Sequence, residues 1–103
     1  MKAGYTYLWE FMVEPDRVEE FQRLYGADGP WVALFRRSAG YLDTWLLRDR
    51  ADPRRFITVD RWESIEAHHG FRAEFAREYA ELDARCAHLS SRETQLGEFT
   101  ESA

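Results

Sequence analysis

Two neighbouring strand-like segments constrain this chain more than any other feature. Gly40 to Leu47 and Phe56 to Trp62 both carry large apolar side chains on alternating and on intervening positions. Strands of that kind need cover on both faces of their sheet. Between them lies Asp52-Pro53, a turn former that cannot continue a central strand. The pair therefore reads as a hairpin, and Glu63-Ser64-Ile65-Glu66-Ala67 opens a helix directly after it. One short chain can cover only one side of such a sheet. A second copy of the chain is the expected cover for the other.

The flanking segments fit around this hairpin. Residues 4–14 alternate, with Tyr5, Tyr7, Trp9, Phe11 and Val13 on one face, and Pro15 ends the run. Asp16 is placed as a helix N-cap, with Glu19 in the capping-box position. Val18, Phe21, Leu24 and Tyr25 follow at helical spacing, Asp28-Gly29-Pro30 breaks the helix, and Trp31–Phe35 reads as a further helical turn or two. Ser64 is the expected cap of a long second helix that Gly70 interrupts. Beyond it, Phe71, Phe75, Tyr79, Leu82, Cys86 and Leu89 form an apolar stripe, backed by charged residues. A last, weaker strand is expected over about residues 92–100. The order strand, helix, strand, strand, helix, strand is the split βαβ, ferredoxin-like α+β arrangement. It predicts one domain over residues 1–103, with a four-stranded antiparallel sheet, helices on one face, and dimerisation through the other.

Composition narrows the function classes. Acidic residues outnumber basic ones, giving a formal charge of −5, and the basic pairs Arg36-Arg37 and Arg54-Arg55 are isolated. That is a poor surface for nucleic acid. The single cysteine, Cys86, lies on the apolar stripe, where a buried, unreactive thiol is expected. A reducing, cytoplasmic setting fits. The opening residues 1–5 lead into an apolar run that Glu10 breaks, shorter than a signal peptide or a membrane span. No nucleophile elbow or glycine-rich phosphate loop occurs. His68 and His69 are adjacent, about 100° apart on a helix, and cannot both grip one ion. No metal or cofactor is expected.

Aromatic and in-strand polar residues remain. Tyr7, Trp9, Trp45 and Trp62 could line a flat cavity between sheet and helices, or fill the core. Asp43 and Asp60 sit inside strands, where a carboxylate is unfavourable unless exposed, paired or functional. Arg48, Arg61 and Arg72 are available partners.

Several short motifs carry a resemblance to a known family. Pro15-Asp16-Arg17 before Val18-Glu19-Glu20-Phe21 resembles the P-G-K-x-x-x-F opening of the first helix of antibiotic biosynthesis monooxygenase (ABM) domains. Gly40-Tyr41-Leu42, Asp52-Pro53 with Phe56, and Trp62-Glu63-Ser64-Ile65-Glu66-Ala67 are similar to further motifs of that family, the last to its W-x-S-x-E-A entry into the second helix. The resemblance runs from about Tyr5 to Phe99. It implies a dimeric α+β barrel of two ferredoxin-like protomers packed through their sheets. Members of the family include cofactor-independent monooxygenases of polycyclic phenols, quinol oxygenases and haem-degrading enzymes; many have no demonstrated activity. Haem degradation uses an Asn, a Trp and a His at positions where this chain has Trp9, Phe71 and Glu81, so the haem branch does not fit.

For the phenol-oxidising branch, the expected catalytic residues are His68 or His69 as base and Tyr7 as hydrogen-bond donor. Trp9, Trp45, Trp62, Phe71 and Arg72 are the expected substrate-binding residues. The implied substrate is a phenol, hydroquinone or polyketide-like aromatic. The alternative is a non-catalytic dimeric module that binds a small aromatic or apolar ligand, or that serves only as an interaction unit. An enzyme of this kind should have a solvent-open cavity with a histidine facing it. A structural dimer should have a filled core with both histidines outside.

Overall fold

The structure is a computed structural model that describes residues 3–102. Met1 and Lys2, at the head of the run read above as too short for a leader, lie outside the described residues. The elements run β1 (Tyr5–Val13), α1 (Val18–Tyr25), α2 (Pro30–Phe35), β2 (Tyr41–Arg48), β3 (Arg55–Trp62), α3 (Ile65–Glu74), α4 (Ala76–Cys86), a 3-10 turn (Ala87–Leu89) and β4 (Ser90–Thr100). The four strands form one antiparallel sheet in the order β2-β3-β1-β4. This is the expected ferredoxin-like α+β fold, with the last strand starting two residues earlier than its pattern suggests.

The core lies between the helices and one face of the sheet. Tyr5, Tyr7, Phe11 and Val13 of β1 and Phe56 and Trp62 of β3 meet Phe21 and Tyr25 of α1, Phe35 of α2, Phe71 of α3, and Leu82 and Cys86 of α4. Rings make up most of this contact. Phe21 stacks on Tyr25 at 4.2 Å, and Trp62 packs against Phe35 and Phe71 at 5.7 and 5.0 Å. Cys86 is buried and free, and burial pushes its thiol above the usual range.

Three local expectations change. Asp16 does not cap α1. The chain makes a turn after Pro15, with the Arg17 N–H donating to the Glu14 carbonyl at 2.9 Å, and Arg17 holds the cap position without a side-chain cap bond. Gly70 does not interrupt its helix. It lies within α3, and the break falls at Phe75 instead, where φ is −109° and ψ is 28°. A stripe that steps by four residues from Phe71 to Phe75 to Tyr79 drifts by about 40° per step on an ideal helix. The break falls in the middle of that drift, and Phe75 stays buried. Ser64, by contrast, caps α3 as expected, accepting from the Ala67 N–H at 3.1 Å.

The third change concerns β2. Its pairing with β3 is regular except at Leu42, which is bulged out between Tyr41 and Asp43. A bulge inserts one residue and inverts the alternation beyond it. Tyr41 and Thr44, an odd number of positions apart, therefore both face the helices. Asp43, Trp45 and Leu47 face the other way. Gly40, just before the bulge, approaches α3 so closely that a Cβ there would overlap the Ala67 Cβ. Its carbonyl accepts from the Glu63 N–H at 2.8 Å.

The face away from the helices carries Trp45, Leu47 and Phe99 about half exposed. It also carries cross-strand ion pairs, Arg55–Glu10 at 2.7 Å and Arg61–Asp43 at 3.2 Å. No helix among the described residues is long and apolar enough to cross a membrane.

Candidate functional site

The two in-strand carboxylates part company across the sheet. Asp43 faces the open side and pairs with Arg61. Asp60 faces the helices and is only 5% exposed. Among the described residues its one hydrogen bond comes from the Thr44 hydroxyl, which donates to Oδ1 at 2.6 Å. Thr44 in turn accepts from the Tyr41 hydroxyl at 2.7 Å. The bulge at Leu42 makes this chain possible, because it brings Tyr41 onto the same side as Thr44 and Asp60.

Asp60 borders a cavity of about 330 Å³ between the sheet and the helices. That volume lies at the small end of ligand pockets. Tyr7, Trp9 and Phe11 of β1 form its floor with Thr44, Thr58 and Asp60. Tyr25, Trp31, Phe35 and Tyr79 contribute rings from the helices. Arg72, Asp83 and Glu93 supply the remaining charges. The Arg72 guanidinium lies over the Tyr79 ring at 3.8 Å. Trp31 is 6% exposed, and its Nε1 has no acceptor. The cavity thus offers flat apolar walls, one buried carboxyl with an unspent oxygen, and an unpaired indole N–H.

Burial sets the electrostatics. It lifts the Asp60 carboxyl to about 6, against the pull of the Thr44 bond and with a further push from the Asp43 charge. Asp60 is therefore ionised at neutral pH and more basic than an ordinary carboxylate. The Tyr7 hydroxyl is pushed far up by burial and then by the Asp60 charge, so it stays protonated and can only share its proton. Burial and the Asp83 charge likewise raise Glu93.

The expected site residues divide into three groups. Tyr7, Trp9 and Arg72 come together on the cavity. Trp62, Phe71 and His68 pack in the aromatic core beside it and do not line it. His68 lies 4.9 Å from the Tyr7 ring, 5.3 Å from Tyr5 and 5.0 Å from Trp62, and its Nδ1 is buried without a partner. Burial first, then the charges of Arg72 and His69, lower it to about 4, so it is neutral at pH 7. His69 and Trp45 lie away from the cavity: His69 is exposed on α3, and Trp45 is 58% exposed on the opposite sheet face. Trp45 is misplaced by the sequence reading because the Leu42 bulge inverts the alternation of β2. The cavity itself exists, but neither histidine faces it. Among the described residues, no three His, Cys, Asp or Glu side chains gather as a metal site.

Asp60 was visible in the sequence as a carboxylate inside a strand. Thr44, Trp31, Tyr79, Asp83 and Glu93 carried no sequence signal for a site, since each is ordinary on its own element.

Comparison with known proteins agrees with this architecture. A Pseudomonas aeruginosa protein of solved structure superposes with a TM-score of 0.76 at 20% identity, over 100% of this chain and 98% of that one. SnoaB, a cofactor-independent oxygenase from Streptomyces nogalater, superposes with a TM-score of 0.74 at 22% identity, over 98% of this chain and 95% of its own. A conserved protein from Methanosarcina mazei gives 0.75 at 12% identity, over 97% and 94%. At these identities the likeness speaks for the fold alone. No curated protein sequence matches the chain. The family described as antibiotic biosynthesis monooxygenase matches residues 5–80, about three quarters of the sequence. The chain therefore belongs to the antibiotic biosynthesis monooxygenase family.

Proposed function

We propose that this protein is a cofactor-independent monooxygenase that oxidises a small electron-rich aromatic, a phenol or hydroquinone, in the cavity beside Asp60. One observation carries the reading: a buried carboxylate, bonded at one oxygen only, at the wall of a ring-lined cavity. Family membership and the likeness to SnoaB support it.

In this reading the base is Asp60 rather than His68 or His69. The substrate hydroxyl gives its proton to Asp60 Oδ2. The resulting phenolate is electron-rich enough to reduce O2 directly. One oxygen atom then joins the ring carbon, the proton on that carbon leaves, and the second oxygen departs as water. Tyr7, still protonated, and the Trp31 N–H are the available donors toward developing negative charge. Trp9 and the helix-borne rings hold the substrate plane. Thr44 and Tyr41 hold the Asp60 carboxyl in place through Oδ1.

The test is oxygen uptake by metal-stripped protein with a panel of polycyclic phenols and hydroquinones. Uptake with one substrate oxygen derived from O2 is the expected result. A ligand-binding module without chemistry is the second reading, favoured by the absence of both histidines from the cavity wall. Tight binding of the same panel without uptake would select it.

The open sheet face completes the proposal. Trp45, Leu47 and Phe99 leave it too apolar to stay uncovered, and the family resemblance points to a second copy as the cover. Trp45→Glu is expected to weaken self-association at least about tenfold. Sedimentation equilibrium checks this, and a monomeric wild type would sink the dimer.

A further inference from the structure

The charges around the cavity are unbalanced. Asp60, Asp83 and Glu93 border it, and Arg72 is the one cation among the bordering residues. Arg72 already lies over the Tyr79 ring. Asp83 comes from α4 and Glu93 from β4, and neither has an ion pair or side-chain hydrogen bond among the described residues. Their two charges act on each other. The other bordering residues, from β1, β2, β3, α1, α2 and α4, are uncharged. A bound anion would meet this field unfavourably, and a neutral ring would gain nothing from it.

An independent feature shows that the cavity is prepared for a polar ligand. Asp60 is nine-tenths buried and leaves one oxygen without a protein partner. Trp9, Tyr25 and Trp31, rings of the types that attract cations, line the same cavity.

We propose that the ligand of this cavity is an aromatic amine in its protonated form, with the ring held among the aromatic walls and the ammonium placed by Asp83 and Glu93. This rests on the reading of the cavity as the substrate site and names the class of substrate it takes. A hydroxyl on the same ring would reach toward Asp60, leaving the ammonium to the acidic pair. Two exposed carboxylates give a preference of modest size, at most about tenfold over a neutral analogue, and salt screens it.

The experiment needs no turnover. Naphthylethylamine, naphthylethanol and naphthylpropionate present the same ring with a cationic, a neutral and an anionic tail. Their binding is measured by quenching of tryptophan fluorescence and by calorimetry at about pH 8, where the amine is charged. The expected order is amine tightest, by up to about tenfold, then alcohol, then acid, with the gap shrinking as salt rises. In the double variant Asp83→Asn, Glu93→Gln, the amine should fall to the affinity of the alcohol while the alcohol is unchanged. The unchanged alcohol shows that the variant is folded. Equal binding of all three probes, or a preference that survives the double variant, overturns the charge assignment and leaves the substrate site standing. No binding by any probe overturns both.

Discussion

Asp60→Asn is expected to abolish oxygen uptake and, at the same time, to make the protein more stable. The two effects have one cause. The carboxylate is held in a place that burial makes unfavourable for charge, and its pKa rises from 3.8 to about 6. That is about two units, or about 3 kcal/mol of differential interaction at most. A group whose folded pKa is raised costs stability when it is ionised. The cost is fully present above about pH 6 and is relieved as the pH falls toward the unfolded value near 4. Asparagine has the same shape, keeps an oxygen for the Thr44 hydroxyl and carries no charge. It should stabilise the fold by about 1–3 kcal/mol at pH 8, several degrees in Tm for a chain of this size. The advantage should shrink through pH 6 and vanish near pH 4. Turnover should fall by about a thousandfold, the middle of the range that a general base contributes. Denaturant unfolding at the two pH values, beside oxygen uptake, measures both halves. A variant that is less stable at pH 8 and still turns over would remove Asp60 from the mechanism.

Such a trade between stability and activity is the physical mark of a site that is prepared for something. The phenylalanines of the core show none of it. Phe21, Phe56 and Phe71 are buried in ring-on-ring contacts that need no ligand to complete them. Asp43, the other in-strand carboxylate, is paired across the strands with Arg61. Two residues of one type, both in the hairpin strands, thus differ in whether the fold gives them a cation: Asp43 has Arg61, and Asp60 has no ion pair among the described residues.

That difference explains how far the sequence could be read. The order and type of the elements were legible because the periods are clean: two in β1, nearly four along Phe71, Phe75 and Tyr79. The stripe is indifferent to whether the helix is continuous, which is why the break at Phe75 was invisible while Gly70 drew attention. β2 was legible as a strand but its faces were not. Tyr41, Trp45, Leu46 and Leu47 put large apolar groups on both sides, so no alternation marks the bulge at Leu42. The bulge alone decides that Thr44, not Trp45, meets Asp60. The cavity was beyond reach for another reason. Its polar members come from β2, β3, α3, α4 and β4, and only their packing makes them neighbours. A histidine near pH neutrality suggests a base, and the sequence does not show that the fold packs the His68 ring against Tyr5, Tyr7 and Trp62, away from the cavity wall.

His68 and Asp60 together make the pH dependence of stability unusual, and this can be separated by one further variant. The folded pKa of His68 is lowered from 6.5 to about 4. A lowered histidine binds its proton more readily in the unfolded chain, so its contribution to stability is intact above about pH 6.5 and is lost as the pH falls toward 4. The loss is up to about 3 kcal/mol. Asp60 acts in the opposite sense over nearly the same window, gaining about as much as His68 loses. Neither charge is among the causes of the other's shift, so the two effects should add independently. Their sum is close to zero, and the wild type should keep a nearly level contribution from this pair between pH 6.5 and 4. Removing either member exposes the other. His68→Phe keeps an aromatic plate, removes the unpartnered Nδ1, and should gain about 3 kcal/mol relative to wild type on acidification from pH 6.5 to 4. Asp60→Asn should lose about the same amount over that interval. Other carboxylates, such as Asp49 with its lowered pKa, are common to all three proteins and drop out of the differences. The same His68→Phe protein divides the two candidate bases. Retained oxygen uptake assigns the proton transfer to Asp60, while loss of uptake with the expected pH curve intact would return it to His68.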